Sequence, residues 1–306
     1  MELKPDEFDF LRFHQYLRNH SKFCYIMKMI ESAAISDIGK KRRINEDSVF
    51  LDDKLGLYIV ADGMGGHRAG EVASNLIVET ISDYIKKLSE DNDTQKFNIP
   101  DETLSRKANH LISAIGLSNR ITHQVSIKNE AYQGMGSTLS AVYFNNDTFI
   151  AANVGDSPIY LVHNGDIELI SVLHTVIAEH EAVSSEGSIQ LGPDYYNMLT
   201  RAVGTDETVK PDISEIPYFT NDIIVICSDG LSGNVAPNEI LDATENNTSK
   251  MACNYLLDLA NERGGDDNIS VIIIKIKRAN SNITGVKWLI GRIIERFNHF
   301  FIKKRI

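Results

Sequence analysis

The chain has 306 residues, 42% apolar and 24% charged, with a net charge of −11 and three cysteines. That length suits one large domain or two small ones with a sizeable core, and the acidic balance argues against a nucleic-acid-binding surface as its main business. Cys24, Cys227 and Cys253 are scattered, which argues against a disulfide framework or a zinc site and favours a reducing, cytoplasmic compartment.

Residues 1–30 are rich in aromatics, and Phe10, Phe13 and Leu17 can share one helix face, so an accessory N-terminal segment is expected. Its early acids, Glu2, Asp6, Glu7 and Asp9, are unlike a secretory signal, and no apolar run approaches the ~18 residues of a spanning helix. From residue 33 the pattern reads as a strand and turn (33–39), an irregular charged stretch (40–47), a strand (48–51), a turn (53–56) and a second strand (57–60). Two helices follow. In the first, Val72, Leu76, Ile77, Ile81, Tyr84, Ile85 and Leu88 recur at spacings of three and four. The second is expected from about 102 to 128, with Gly116 marking a break. A polar loop with Pro100 separates them.

A β block comes next, at 137–144, 148–154, 159–163 and 167–171, with Asn164-Gly165 suited to a type I′ hairpin. Residues from 172 lose this periodicity and read as an inserted flap, at about 172–198. A buried strand at 223–227, helices at 238–243 and 250–262 and a last strand at 269–276 complete the main body, 31–278. Helices grouped rather than alternating with strands predict α+β layers, with helices covering sheets. Residues 279–306 differ: Val286, Leu289, Ile290, Ile293, Ile294 and Phe297 repeat at helical spacing, with Lys287, Arg292, Arg296, Lys303, Lys304 and Arg305 around them. That is a basic amphipathic helix, suited to a membrane surface, a partner or the body of the protein itself.

Acids recur where strands end. They stand in Asn45-Glu46-Asp47, Ala61-Asp62-Gly63, Gly155-Asp156-Ser157, Ser228-Asp229-Gly230 and Gly265-Asp266-Asp267-Asn268. One Asp-Gly alone is best read as a turn. Acids from five such segments against core strands would repel one another unless cations joined them. Oxygen ligation without a His–Cys set favours Mg²⁺ or Mn²⁺ over Zn²⁺. Two ions close together would lower the pKa of a shared water and aim it at phosphorus.

Seven strings in order make the chain resemble the metal-dependent, type-2C family of Ser/Thr protein phosphatases in its bacterial form. They are Gly39-Lys40-Lys41-Arg42 with Asn45-Glu46-Asp47-Ser48; Ala61-Asp62-Gly63-Met64-Gly65-Gly66-His67; Gly134-Met135-Gly136-Ser137-Thr138-Leu139; Asn153-Val154-Gly155-Asp156-Ser157; Leu199-Thr200-Arg201-Ala202-Val203-Gly204; Ser228-Asp229-Gly230-Leu231-Ser232; and Gly265-Asp266-Asp267-Asn268-Ile269-Ser270. The resemblance implies two central antiparallel β-sheets sandwiched between pairs of α-helices, two Mn²⁺ or Mg²⁺ ions, and direct attack by a water bridging them. Its expected substrates are proteins phosphorylated on serine or threonine by an opposing kinase, and the protein is expected to act as a cytoplasmic monomer without nucleic acid.

Roles carried over from the resemblance are as follows. Asp62 matches the bridging carboxylate and Gly63 a backbone-carbonyl ligand of the second ion, with Asp47 as that ion's acid. Asp229 and Asp267 match ligands of the first ion, and Asp156 a ligand of a weaker third. Glu46 matches an acid that orients metal waters, and Arg42 the arginine that grips the substrate phosphate, with Arg43 as its neighbouring competitor. Departures are Pro158 where relatives have arginine, Leu173 ahead of His174-Thr175 where they have aspartate, no acid at Ser232-Gly233-Asn234 to strengthen a third ion, and Met64 where animal relatives have a histidine proposed as general acid. His67 is not in that position and is expected to fix its loop, so the general acid stays unassigned. From the residues alone, a catalytically silent binding module of this fold and a metal hydrolase of other phosphate esters stay open.

Overall fold

The computed structural model describes residues 30–65, 69–90, 100–183, 195 and 198–279. The expected N-terminal segment, the basic C-terminal helix and His67 lie outside the described residues.

Two antiparallel sheets face each other. The first contains β1 (Ile30–Asp37), β11 (Ile269–Ile276), β10 (Ile223–Cys227), β7 (Ile159–His163) and β8 (Asp166–Leu169), in that order. The second runs β2 (Asp47–Asp52), β3 (Leu57–Met64), β5 (Leu139–Asn145), β6 (Thr148–Val154) and β9 (Asp212–Pro217), with the short β4 (Gly136–Ser137) beside β3. Helices α1 (Ala69–Glu90) and α2 (Arg106–Lys128) cover the second sheet. Helices α5 (Pro237–Asn246) and α6 (Ser249–Glu262) cover the first.

Strand periodicity explains the layering. Side chains alternate between the two faces of a strand. On β3, Leu57, Ile59 and Ala61 join the core under α1 and α2, while Tyr58 and Val60 join the core between the sheets. On β11, Ile269, Val271 and Ile273 face α5 and α6, and Ile272, Ile274 and Ile276 face the other sheet. Each fully buried isoleucine contributes roughly 1.5–3 kcal/mol relative to exposure. Strands that are apolar on both faces therefore end up in the middle, and only their ends are free to carry acids.

The expected elements need several corrections. Strand β3 extends through Asp62 and Gly63 rather than ending at residue 60. Helix α2 starts at Arg106, because the Ser105 side chain accepts from the Ala108 N–H at 3.2 Å and caps it there. Gly116 does not break α2: a glycine costs about 1 kcal/mol in a helix, and Ile115 and Ser118 around it are fully buried. The sequence reading left out β9, whose isoleucines, Ile213 and Ile216, do not alternate. It also left out helix α3 (Val176–Val183) in the flap. The expected strand at 137–144 is interrupted at Thr138, for a reason that lies in the site. Asn164 and Gly165 have φ of 53° and 81°, as a type I′ turn requires. Among the described residues, no helix is long and apolar enough to cross a membrane.

Candidate metal centre

The acids come from segments far apart in sequence. Asp47 opens β2 and lies directly opposite Asp62 on β3, so both carboxylates leave the same face of the sheet. From the other sheet, Asp229 follows β10 as the first residue of a short helix, α4 (Asp229–Ser232), and Asp267 lies two residues ahead of β11. The site is thus where neighbouring ends of the two sheets meet. Asp156 stands in the turn after β6, close enough to Asp229 for their charges to interact.

Hydrogen bonds between segments set this convergence. The Ser228 hydroxyl donates to Asp47 Oδ2 at 2.8 Å, tying the sheets together. The Asp62 N–H donates to Thr138 Oγ1 at 3.0 Å, and the Thr138 N–H donates to the Asp62 carbonyl at 2.8 Å. Thr138 holds Asp62 by both the N–H and the carbonyl of Asp62, the Thr138 hydroxyl standing where a ladder carbonyl would accept, which accounts for the interruption between β4 and β5. Asn268 Oδ1 accepts from the Glu46 N–H at 2.8 Å. A Cβ on Gly63 would lie 2.1 Å from the Gly70 carbonyl oxygen and 2.6 Å from that of Glu46, so only glycine lets α1 begin this close to the acids.

Electrostatics match the geometry. Burial pushes the Asp47 carboxyl up to about 6, with Asp229 and Asp267 adding to the effect. Burial, then Asp47 and Asp229, push Asp62 well above the usual carboxylate range. Asp229 is raised by burial and by Asp267, and Asp156 to about 6 by burial and Asp229. Burial also raises Glu46. Burial works against the Arg42 charge, but Asp267 outweighs it and holds the guanidinium above its ordinary value. Arg42 Nη2 donates to Asp267 Oδ2 at 2.6 Å. Both Arg42 and Arg43 are exposed, and Arg42 is the one that reaches the acids.

Do these residues fit cations? Among the described residues, no three His, Cys, Asp or Glu side chains stand gathered as a finished metal-holding set. The carboxylates are instead turned onto protein partners: Asp267 onto Arg42, Asp47 onto Ser228, and Asp62 onto Asp229. Even so, five buried side-chain oxygens among the described residues have no hydrogen-bond partner, and three of them are here: Glu46 Oε1, Asp47 Oδ1 and Asp229 Oδ1. A buried oxygen without a donor costs about 1–3 kcal/mol. Several in one place, on acids that repel each other, are what hard cations relieve, and the all-oxygen donor set suits Mg²⁺ or Mn²⁺.

Three residues of the site had no role in the sequence reading: Thr138, Ser228 and Asn268. Each sits inside a quoted string, Ser228 and Asn268 beside an acid and Thr138 in a string without one, and their partners are remote. Two described histidines pair with other acids: His163 Nδ1 is 2.6 Å from Asp222 Oδ1 and His174 Nε2 is 2.6 Å from Asp212 Oδ2.

Comparison with known proteins agrees with this picture. The protein phosphatase 2C family model matches residues 40–262. The chain is 32% identical over 250 residues to the serine/threonine phosphatase stp of Listeria welshimeri, covering 78% of this chain and 93% of that one. It is similar to the crystal structure of the Mycobacterium tuberculosis serine/threonine phosphatase PstP/Ppp, with a TM-score of 0.69 at 29% identity, covering 82% of this chain and 100% of the other. The catalytic domain of PstP in complex with two manganese ions gives a TM-score of 0.67 at 29% identity, covering 81% and 98%.

Proposed function

The chain belongs to the protein phosphatase 2C family and is a metal-dependent protein serine/threonine phosphatase; on that premise we propose that the acids where the two sheets meet are its catalytic centre. The observation that carries this is the convergence of Asp47, Asp62, Asp229 and Asp267, with orphaned buried oxygens among them and Arg42 at their rim.

Asp62, Asp229 and Asp267 would hold one ion, and Asp62, the Gly63 carbonyl and Asp47 the other, with Asp156 serving a weaker third. When bound, the two Mn²⁺ or Mg²⁺ ions supply a water of lowered pKa and positive charge to set against the phosphate. The protein's own groups do the rest. Thr138 fixes the Asp62 peptide, and Ser228 fixes Asp47. Glu46, with one buried oxygen unpartnered, would accept a hydrogen bond from a water in the centre and orient it. Arg42 offers a planar fork that matches two phosphate oxygens and supports the charge that builds on them.

A lysine keeps Arg42's charge but loses the fork. Arg42→Lys is therefore expected to raise KM for a phosphothreonine peptide about tenfold and to lower kcat as well. Steady-state kinetics at saturating Mn²⁺ check this, and an unchanged KM would remove Arg42 from the phosphate site.

The substrates are phosphorylated proteins. We further propose that the protein opposes a Ser/Thr kinase as a monomer in the cytoplasm, which the buried, unpaired Cys227 and Cys253 support. The basic pattern at 280–306 supports contact with an anionic membrane surface. A chain ending at residue 279 is then expected to lose sedimentation with phosphatidylserine liposomes, and equal sedimentation of both chains removes that reading.

A further inference from the structure

His174 lies at the root of the flap, just ahead of α3, and is fully buried. It grips Gly155 at two points. The His174 N–H donates to the Gly155 carbonyl at 2.9 Å, and the Gly155 N–H donates to His174 Nδ1 at 3.0 Å. A ring nitrogen that accepts a hydrogen bond carries no proton, so the neutral ring keeps its proton on Nε2. That N–H points to Asp212 Oδ2 at 2.6 Å. The same oxygen accepts from Arg201 Nη1 at 2.8 Å, and Arg201 reaches Glu179 of α3 at 3.8 Å. Glu179 Oε1 also accepts from the Thr200 hydroxyl at 2.7 Å. A continuous polar chain thus runs from Gly155 through the imidazole to the flap helix.

The Gly155 end of this chain is the turn that carries Asp156. Gly155 has φ of +99°, and a Cβ there would lie 2.8 Å from Thr138 Cβ. The turn therefore has no side chain of its own at that position and is held from outside, by His174 and by Asn153, whose Nδ2 donates to the Gly155 carbonyl at 3.0 Å. The other end involves Arg201, a residue of the Leu199-Thr200-Arg201 string to which the sequence reading gave no task. Asp212 stays ionised there: burial opposes its charge, but His174 and Arg201 hold it below the ordinary carboxylate range.

We propose that His174 is a positioning residue for the centre: through Gly155 it aims the Asp156 carboxylate toward Asp229, and through Asp212 it ties that aim to the flap helix. The part played by Asp156 rests on the reading above that Asp156 belongs to the centre.

Two variants of the full chain separate the two grips. An asparagine amide oxygen reaches the place of Nδ1, and a glutamine amide nitrogen reaches that of Nε2. His174→Asn is expected to keep the Gly155 bond and lose Asp212; His174→Gln is expected to do the reverse. Amide hydrogen exchange, which reads local opening, is then expected to quicken about tenfold at 176–183 in His174→Asn and at 153–157 in His174→Gln, each sparing the other segment. In calorimetric Mn²⁺ titrations, His174→Gln is expected to weaken the weakest site about tenfold, as Asp156→Ala does, and to add nothing in the Asp156→Ala background. His174→Asn is expected to titrate like wild type. Equal exchange changes at both segments in both variants, or none in either, would overturn the proposal. So would a loss of Mn²⁺ affinity in His174→Gln that persists when Asp156 is absent. If Asp156→Ala alone titrates like wild type, the metal reading of Asp156 falls, and the exchange pattern then decides the case for His174.

Discussion

Asp62→Asn is expected to abolish Mn²⁺-dependent hydrolysis of a phosphothreonine peptide, lowering kcat/KM by roughly 10³-fold or more, while making the metal-free protein more stable. Both effects have one cause. Asp62 is the acid that faces Asp47 across the strands and Asp229 across the sheets. It is the carboxylate whose charge the other acids oppose most directly. An amide has the same shape and keeps the backbone bonds to Thr138, but it takes one negative charge out of the cluster. Relief of that repulsion is expected to add ~1–2 kcal/mol in EDTA. The gain depends on pH with a definite sign. A carboxyl whose folded pKa is raised holds its proton longer in the native state, so its contribution is intact below the unfolded value near pH 4 and is lost as pH rises through the folded pKa. Asp47, at about 6, and the raised Asp62 and Asp229 all act this way. The metal-free wild type therefore loses stability as pH rises from about 4 through the folded values of these acids, and the advantage of Asp62→Asn widens over the same range. Urea unfolding in EDTA at pH 5 and pH 8 checks this. A folded variant with normal activity, or an advantage that shrinks with rising pH, would sink the assignment.

What the sequence made legible follows from how local each signal is. Strands β10 and β11 are apolar on both faces, and the stripe on α1 repeats every three or four residues, so both patterns reveal their burial directly. Asp62, Asp229 and Asp267 stood out because a carboxylate at the end of an apolar strand needs a reason. Strand β9 was not legible: it pairs with β6 alone, at the sheet edge, and only Ile216 within it is buried. Nor was the work of Thr138, Ser228 and Asn268. Their hydrogen bonds reach 76, 181 and 222 residues along the chain. A polar side chain whose partner is a distant backbone group or acid leaves no period in its own segment. The strings that carry the family resemblance contained all three residues, but only the folded chain shows what each one holds.

Asn268 is the residue where that difference has the largest expected consequence for the fold. It is buried, and each polar atom of its amide has a partner of the right sense. Oδ1 accepts from the Glu46 N–H at 2.8 Å, and Nδ2 donates to the carbonyls of Ile38 and Ile44, both at 3.0 Å. These three bonds hold the segment between β1 and β2, which carries Arg42 and Glu46, against the start of β11. Asn268→Ala removes all three and leaves part-buried backbone groups without these partners, at an expected cost of ~3 kcal/mol. The loosened segment takes Arg42 with it, so KM for the phosphopeptide is expected to rise about tenfold. Aspartate is the sharper test because it has the same shape. Its one oxygen can still accept from the Glu46 N–H, but the other would face two carbonyl oxygens, acceptor against acceptor, beside Asp267. Asn268→Asp is therefore expected to be less stable than Asn268→Ala even though it fills the site. Urea unfolding of the two variants in EDTA gives the order directly. If aspartate proves the more stable, space-filling outweighs the direction of the hydrogen bonds, and Asn268 does not fix the arginine segment in the way its three contacts require.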